Sequence, residues 1–353
     1  MKKALIVTTV SGFVPQFELN NVHLLQELGY EVHYASNFQN VSYGKDNKRL
    51  EGTGIVCHQV DFERSPFAIK QNRRAFRQLK QIVEQEAPEL VHCHTPVGAA
   101  LTRAVCAGQQ KMHKLRVIYT AHGFHFYKGA PFKYWLLFYP VERWLARCTD
   151  VLITINKEDY ERAKRFSRRK RTKVEYVPGV GIDMDYWSGR GLLPEERQII
   201  RERVRKDLGV STEEKMLLSV GELIPRKNHL VVIEALAEKP PKQPYKYFIC
   251  GQGVLHEELE QQIKEKGLSD KVVLLGYRED IRSLLYAADL FVFPSKQEGL
   301  PVALLEAMAA GTEVAASDIR GNRDLLELSE GELSDYDREN VKKKMQQIYK
   351  SLS

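Results

Sequence analysis

The sequence predicts an α/β protein made of two doubly wound domains in series, each a mostly parallel sheet covered by helices on both faces. Three observations carry this. Short apolar runs alternate with longer amphipathic stretches, the rhythm of right-handed βαβ units. The apolar runs are near-continuous rather than alternating, as strands are when both sheet faces are covered. The rhythm breaks once, from Pro178 to about Glu214, and then resumes. A chain of 353 residues suits about two domains.

In the first half, strands are expected to begin near Leu5, Glu31, Ile55, Leu90, Val117, Val151 and Val174. Helical patterns lie between most of them, at Gln16–Leu28, Phe67–Glu84, Val97–Cys106, Phe132–Ala146 and Lys157–Phe166. Val177-Pro178-Gly179-Val180-Gly181 reads as a turn or hinge, and a charged stretch from Pro194 to Arg205 follows it. A fresh strand starts at Met216, with others near Lys246, Val272, Leu290 and Glu313. The helices between these are Asn228–Ala237, Val254–Lys266, Asp280–Ala288 and Val302–Ala310. The last element, from Tyr336 onward, has an apolar helical stripe at Val341, Met345, Ile348 and Tyr349. The expected division is 1–185, 186–335 and a terminal helix in 336–353.

Composition is that of a globular chain, with 43% hydrophobic and 28% charged residues. This excludes collagen, disorder, a coiled coil and a disulfide scaffold. The five cysteines, Cys57, Cys93, Cys106, Cys148 and Cys250, contain no CxxC pair, and an odd, scattered set suits a reducing cytoplasm. The apolar run Ala4–Val10 is too short for a signal peptide core, and no stretch reaches the roughly 20 apolar residues of a membrane span. Charge divides unevenly: residues 1–189 hold 28 Lys/Arg against 18 Asp/Glu, and residues 190–353 hold 25 against 28. The densest basic run is Arg162 to Lys173, with Lys164, Arg165, Arg168, Arg169, Lys170 and Arg171 between. It reads as a solvated helix end or as a contact for anionic lipid or a pyrophosphate-bearing acceptor. Nucleic acid is not expected, because a single aromatic residue, Phe166, stands among the basic ones and no reading motif accompanies them.

Chemistry concentrates in Glu298-Gly299-Leu300-Pro301-Val302, followed eight residues after Glu298 by Glu306. Glu298 falls in the loop after a strand, and Glu306 about one and a half turns into the next helix. In an open α/β sheet this crevice binds ligands, and free N–H groups at the helix start suit a phosphate. A glutamate among small and apolar neighbours, as Glu306 is, needs partners. Gly221-Glu222-Leu223-Ile224-Pro225-Arg226-Lys227-Asn228 joins a strand to a helix with two cations beside its start. Gly251-Gln252-Gly253 permits close backbone approach but lacks the spacing of a dinucleotide fingerprint. On the first domain, His122 and Gly123 end a strand, as do His92-Cys93-His94, whose histidines share a face without an evident third metal ligand. Asp183-Met184-Asp185 lies at the domain link and is not expected to bind metal.

The Glu298/Glu306 segment resembles the Glu-x(7)-Glu signature of retaining glycosyltransferases of family 4. The loop at Gly221 resembles that family's phosphate loop, and His122-Gly123 resembles its His-Gly. Ser11-Gly12-Phe13 resembles its short glycine loop beside the donor. The likeness covers about residues 1–328 and 336–353. It is strongest to bacterial enzymes of capsule and exopolysaccharide assembly at Phe17-Glu18-Leu19-Asn20-Asn21 and from His122 to Pro131. The resemblance implies the GT-B architecture: two Rossmann-like domains facing a cleft, with the terminal helix packing back on the first domain. It implies a metal-independent transfer, without cofactor, from a nucleotide-diphosphate sugar, expected to be UDP-linked. The acceptor is a glycan or a lipid-pyrophosphate-linked sugar. Arg226 and Lys227 would meet the diphosphate, Glu298 the sugar, Glu306 the ribose and His122 the sugar. Gly12, Gly221, Gly251, Gly253, Arg278, Gly299, Leu300, Pro301 and Val302 complete the donor-side candidates.

The resemblance leaves an epimerase of the same architecture and a non-catalytic nucleotide-sugar binder as alternatives. The basic first domain points to peripheral contact with the inner face of a membrane. The aromatic residues Phe124, Phe126, Tyr127, Phe132, Tyr134, Trp135, Phe138 and Tyr139 read as an apolar wall near the acceptor or as ordinary core. Between Leu328 and Tyr336 the chain is shorter than the family's pattern, and Glu313 is an oddity in an expected strand.

Overall fold

The computed structural model describes residues 1–43, 46–109, 115–167, 172–329 and 331–352. The chain forms two compact units, Met1–Gly181 with Glu339–Ser353 and Ile182–Arg338. Both breaks lie a few residues from the positions read in the sequence. Ile182 pairs with Asp337 as a parallel bridge, which draws both connecting segments into the second unit.

The first unit is a seven-stranded sheet of β1 (Lys2–Val7), β2 (Tyr30–Ser36), β3 (Val56–Gln59), β4 (Leu90–His94), β5 (Arg116–Ala121), β6 (Val151–Thr154) and β7 (Lys173–Tyr176). The order is β3-β2-β1-β4-β5-β6-β7, and every pairing is parallel. Alternate side chains of a strand face opposite ways. Leu5 and Val7 accordingly enter one core with Leu79, Val83 and Ala99 from the helices Ile69–Glu86 and Pro96–Gln109. Ala4 and Ile6 enter the other, with Val22, Leu24 and Leu25 from the helix Leu19–Glu27. The terminal helix Arg338–Lys350 covers that same face, burying all four residues of its stripe, Val341, Met345, Ile348 and Tyr349.

The second unit is a five-stranded parallel sheet of β8 (Lys215–Val220), β9 (Tyr245–Cys250), β10 (Val272–Gly276), β11 (Leu290–Phe293) and β12 (Val314–Ala316), in the order β10-β9-β8-β11-β12. Met216, Leu218, Phe291 and Phe293 pack under the helix Val302–Ala309, and Leu217, Tyr247 and Ile249 under the helices His229–Glu238 and His256–Glu265.

Three local readings change. The charged stretch after Pro194 is a helix, Pro194–Asp207. It carries proline at its start, Glu195 and Glu196 in the first turn and Arg205 and Lys206 in the last, which are helix-boundary signals. It packs Ile200 and Val204 on the second unit's core, and ion pairs add to this: Arg201 and Arg205 reach Asp289 at 2.6 and 2.9 Å. Second, the expected helix from Gln16 opens as a π-turn, Val14–Glu18, before the α-helix begins. Third, Glu313 precedes β12 and is exposed, so the sheet edge accommodates it without burying a charge. All five cysteines are free thiols. Among the described residues no helix is long and apolar enough to cross a membrane.

Removing buried methylenes from the terminal helix should loosen the first unit's sheet face. Ile348→Ala, at a position 4% exposed, is expected to lower unfolding stability by about 2–5 kcal/mol, read as a lower denaturant midpoint.

Candidate active site

On the second unit, the two motif segments meet at one carboxylate. Glu298 Oε1 accepts from Lys227 Nζ at 2.8 Å and from Arg226 Nη1 at 3.0 Å. Arg226 also donates to the Gln297 carbonyl at 3.0 Å, and its own carbonyl accepts from Lys296 at 2.9 Å. Lys227 Nζ lies 4.9 Å from the Phe293 ring centroid. A buried carboxylate requires such compensation, and two cations on one carboxylate leave local positive charge. The helix Val302–Ala309 begins four residues after Glu298, with Pro301 at its N-cap. Gly299, Leu300, Pro301 and Val302 therefore form the approach to a helix N-terminus, the terminus that favours anions.

Glu306 lies on that helix among buried Leu304, Leu305 and Ala307. Burial raises its carboxyl to about 7, and among the described residues nothing hydrogen-bonds it. Gly251, at φ +155°, is demanded by the approach of its neighbouring loop: a Cβ there would lie 1.8 Å from the Gly221 carbonyl oxygen. Gly253 packs likewise on Leu223. These glycines hold the phosphate-type loop against the end of β9. Arg278 is engaged by Asp280 through two bonds of 2.7 and 2.6 Å, beside the start of the helix Ile281–Ala287. Asp183 caps the helix Met184–Ser188 by accepting from the Tyr186 N–H at 2.8 Å, and Asp185 pairs with Arg190. Both aspartates thus have structural partners.

On the first unit, His122 follows β5 and its Nε2 lies 3.1 Å from His94 Nδ1. Glu18 Oε1 is 3.5 Å from the same His94 nitrogen. The three side chains bring metal-ligand-type atoms within 4.8 Å of one another, and Phe13 packs on both imidazoles. The partner of His94 is thus His122 with Glu18, whereas His92 is satisfied by Tyr349 and Thr120 at 2.9 and 2.8 Å. Burial holds His92 near 3 and His122 near 4, so both are neutral at physiological pH. Burial raises Glu18 to about 7, opposed in part by Asn21. No sequence pattern assigns Glu18 a role. Its signal was a lone acid in an apolar stretch beside Pro15, where the π-turn places it. Gly12 is required by protein packing: a Cβ would lie 1.8 Å from the Ser42 carbonyl oxygen.

The aromatic segment splits. Phe124 and Phe126 are core and stack at 4.8 Å, while Phe132 is 80% exposed. In the basic run, Arg162 bonds Glu158 and the Phe126 carbonyl, Lys164 pairs with Glu161, and Lys173 with Glu175. Arg168, Arg169, Lys170 and Arg171 lie outside the described residues.

The raised carboxyl of Glu18 has a definite sign. Its proton is retained on folding, so stability falls as pH rises from 4.5 to about 7 and is level above that. Glu18→Gln should remove up to about 3 kcal/mol of this loss. The expected result is a melting temperature several degrees above wild type at pH 8 and nearly equal to it at pH 4, by calorimetry.

Two family models divide the chain: "Glycosyl transferase 4-like" over residues 4–156 and "Glycosyl transferases group 1" over residues 200–351. EpsD of Bacillus subtilis (strain 168), which is named as a glycosyltransferase, is 37% identical over 326 residues, covering 92% of this chain and 81% of EpsD. The Escherichia coli enzyme UDP-Gal:alpha-D-GlcNAc-diphosphoundecaprenol alpha-1,3-galactosyltransferase is 29% identical over 293 residues, covering 80% of this chain and 70% of its own. Among solved structures, Anabaena Alr3699/HepE in complex with UDP and glucose superposes with a TM-score of 0.71. It covers 99% of this chain and 100% of its own at 17% identity, a likeness of fold.

Proposed function

The chain belongs to the group 1, GT4-like glycosyltransferases of GT-B fold that serve bacterial polysaccharide assembly, and we propose that it catalyses retaining, metal-independent transfer from a UDP-sugar. The observation that carries this is the cluster of Lys227, Arg226 and Glu298 beside a helix N-terminus. Two cations are already gathered where a diphosphate would leave, which is the charge stabilisation that otherwise calls for a divalent ion. UDP as the nucleotude-bearing group is supported by the UDP complex of HepE and by the UDP-Gal donor named for the E. coli relative. A lipid-diphosphate-linked acceptor is supported by that relative's diphosphoundecaprenol substrate.

In this reading the diphosphate displaces Glu298 from Lys227 and Arg226, and the freed carboxylate accepts hydroxyls of the donor sugar. Glu306 accepts the ribose hydroxyls. The diphosphate leaves on the face from which the acceptor hydroxyl attacks. The hydroxyl's proton passes to a donor phosphate oxygen, so the new glycosidic bond keeps the anomeric configuration and no protein nucleophile is used.

Two outcomes are expected. Lys227→Ala should lower transfer from a UDP-sugar by about 10²–10³-fold, and product NMR should show the donor's anomeric configuration. Undiminished transfer or an inverted product refutes the assignment. For Glu306, only the ionised carboxylate accepts two hydroxyls well. Affinity for UDP-glucose, followed by calorimetry, should therefore rise as pH passes upward through about 7, and Glu306→Gln should bind more weakly with a flat profile.

A further inference from the structure

A second group of metal-ligand side chains lies in the first unit, apart from the site described above. His33 is on β2, His58 is on the edge strand β3, and Glu86 is the last residue of the helix Ile69–Glu86. Strand alternation puts Lys3, His33 and His58 on the face that carries Leu5, Ala35 and Val60, which that helix covers. Lys3 is the second residue of β1, so the group lies toward the amino ends of the strands. His122 follows β5 at the opposite, carboxyl edge.

His33 Nδ1 and His58 Nε2 face each other at 2.8 Å, with the ring planes 12° apart. Glu86 Oε2 is 3.8 Å from the same His33 nitrogen, and the three ligand atoms all lie within 4.8 Å of one another. Two imidazole nitrogens at that distance attract only if one carries a proton or a cation stands between them. Tetrahedral zinc spaces its nitrogen ligands roughly 3.3 Å apart, so the pair has to open by roughly half an ångström. The other nitrogen of His33 is an independent observation. Nε2 is buried and has no hydrogen-bond partner among the described residues, yet Glu31 Oε1 stands 3.3 Å away. A metal on Nδ1 would leave the ring proton on Nε2, facing that carboxylate. This is the carboxylate–histidine–metal arrangement that orients a ligating imidazole. Burial holds His58 below the usual imidazole range, and the bond from Lys3 holds Glu86 below the usual carboxylate range. Both are therefore in the protonation states that a metal requires. One group competes: Lys3 Nζ donates to Glu86 Oε2 at 2.7 Å. Its side chain is 31% exposed and can turn to water when a cation takes its place.

We propose that His33, His58 and Glu86 form a site for a divalent transition ion of the zinc class, with Glu31 behind His33 and Lys3 as the group the ion displaces. Two imidazoles and one carboxylate suit zinc and are too poor in oxygen for magnesium or calcium. The fourth position is left to water. The ion ties the edge strand β3 and the end of the helix to β2. It takes no part in the transfer reaction, and its effect is on the stability of the first unit.

The test uses the full chain, stripped with a chelator and titrated with zinc chloride by calorimetry. One equivalent should bind at micromolar zinc, magnesium should not compete, and zinc should raise the melting temperature. His58→Ala should weaken zinc by about 10–100-fold and remove the thermal shift. Lys3→Met should tighten zinc, because Glu86 is freed. His122→Ala, which disturbs the cluster of Glu18, His94 and His122, should bind zinc as the wild type does. A cooperative melting transition confirms that each variant is folded, and the gain expected of Lys3→Met does not arise from misfolding. No zinc uptake, magnesium binding as tightly as zinc, a larger loss in His122→Ala than in His58→Ala, or Lys3→Met binding no more tightly overturns the site.

Discussion

A parallel sheet must be covered on both faces, because its crossover connections pass over them and its strands are apolar on both sides. The rest of this structure follows from meeting that requirement twice. In the first unit the two side-chain sets of β1, Leu5 and Val7 against Ala4 and Ile6, feed separate cores. The second core contains the terminal helix, drawn from the far end of the chain. Covered faces leave only the strand ends open, and the carboxyl ends carry the loops. His122 after β5, the Gly221 loop after β8 and Glu298 after β11 all lie there. The chemistry is placed by the topology before any side chain is specified.

Around those strand ends, burial shifts the titrating groups. Glu18 and Glu306 are both raised to about 7, while His92 and His122 are lowered. Burial favours the neutral form in each case. Glu298 is treated differently: it is buried but paired to two cations. The protein thus keeps one site of gathered charge on the second unit and, on the first, neutral imidazoles beside a carboxyl that titrates near 7. The former suits an anionic leaving group. The latter suits hydroxyl recognition, where neutral imidazoles both donate and accept.

What could be read from the sequence was whatever is local. The glutamate spacing, the strand-to-helix loop at Gly221 and the stripe Val341, Met345, Ile348 and Tyr349 are each contained in a short segment, and the fold uses them as read. Contacts between distant segments were not legible. Lys227 and Glu298 are 71 residues apart, and Arg103 and Glu142 are 39 apart. The packing need for glycine at position 12, where a side chain would meet the backbone of Ser42, is of the same long-range kind. The helix Pro194–Asp207 has boundary signals and a narrow apolar face, Ile200 and Val204, beside which Arg201 and Arg205 reach the distant Asp289. A stripe this narrow, set among charged residues, is easily passed over by periodicity.

The terminal helix has a consequence for how the protein is made. Its residues belong to the first unit, yet the whole second unit lies between them and β7. A chain emerging from its N-terminus presents the first sheet with one face still short of Val341, Met345, Ile348 and Tyr349. That face waits, apolar, while roughly one domain's length of further chain is synthesised, at about 5–20 residues per second. The second unit can be completed in the interval; the first cannot. The first unit, begun before the second, therefore reaches its final packing only after the second is made, when the helix Arg338–Lys350 covers its open face.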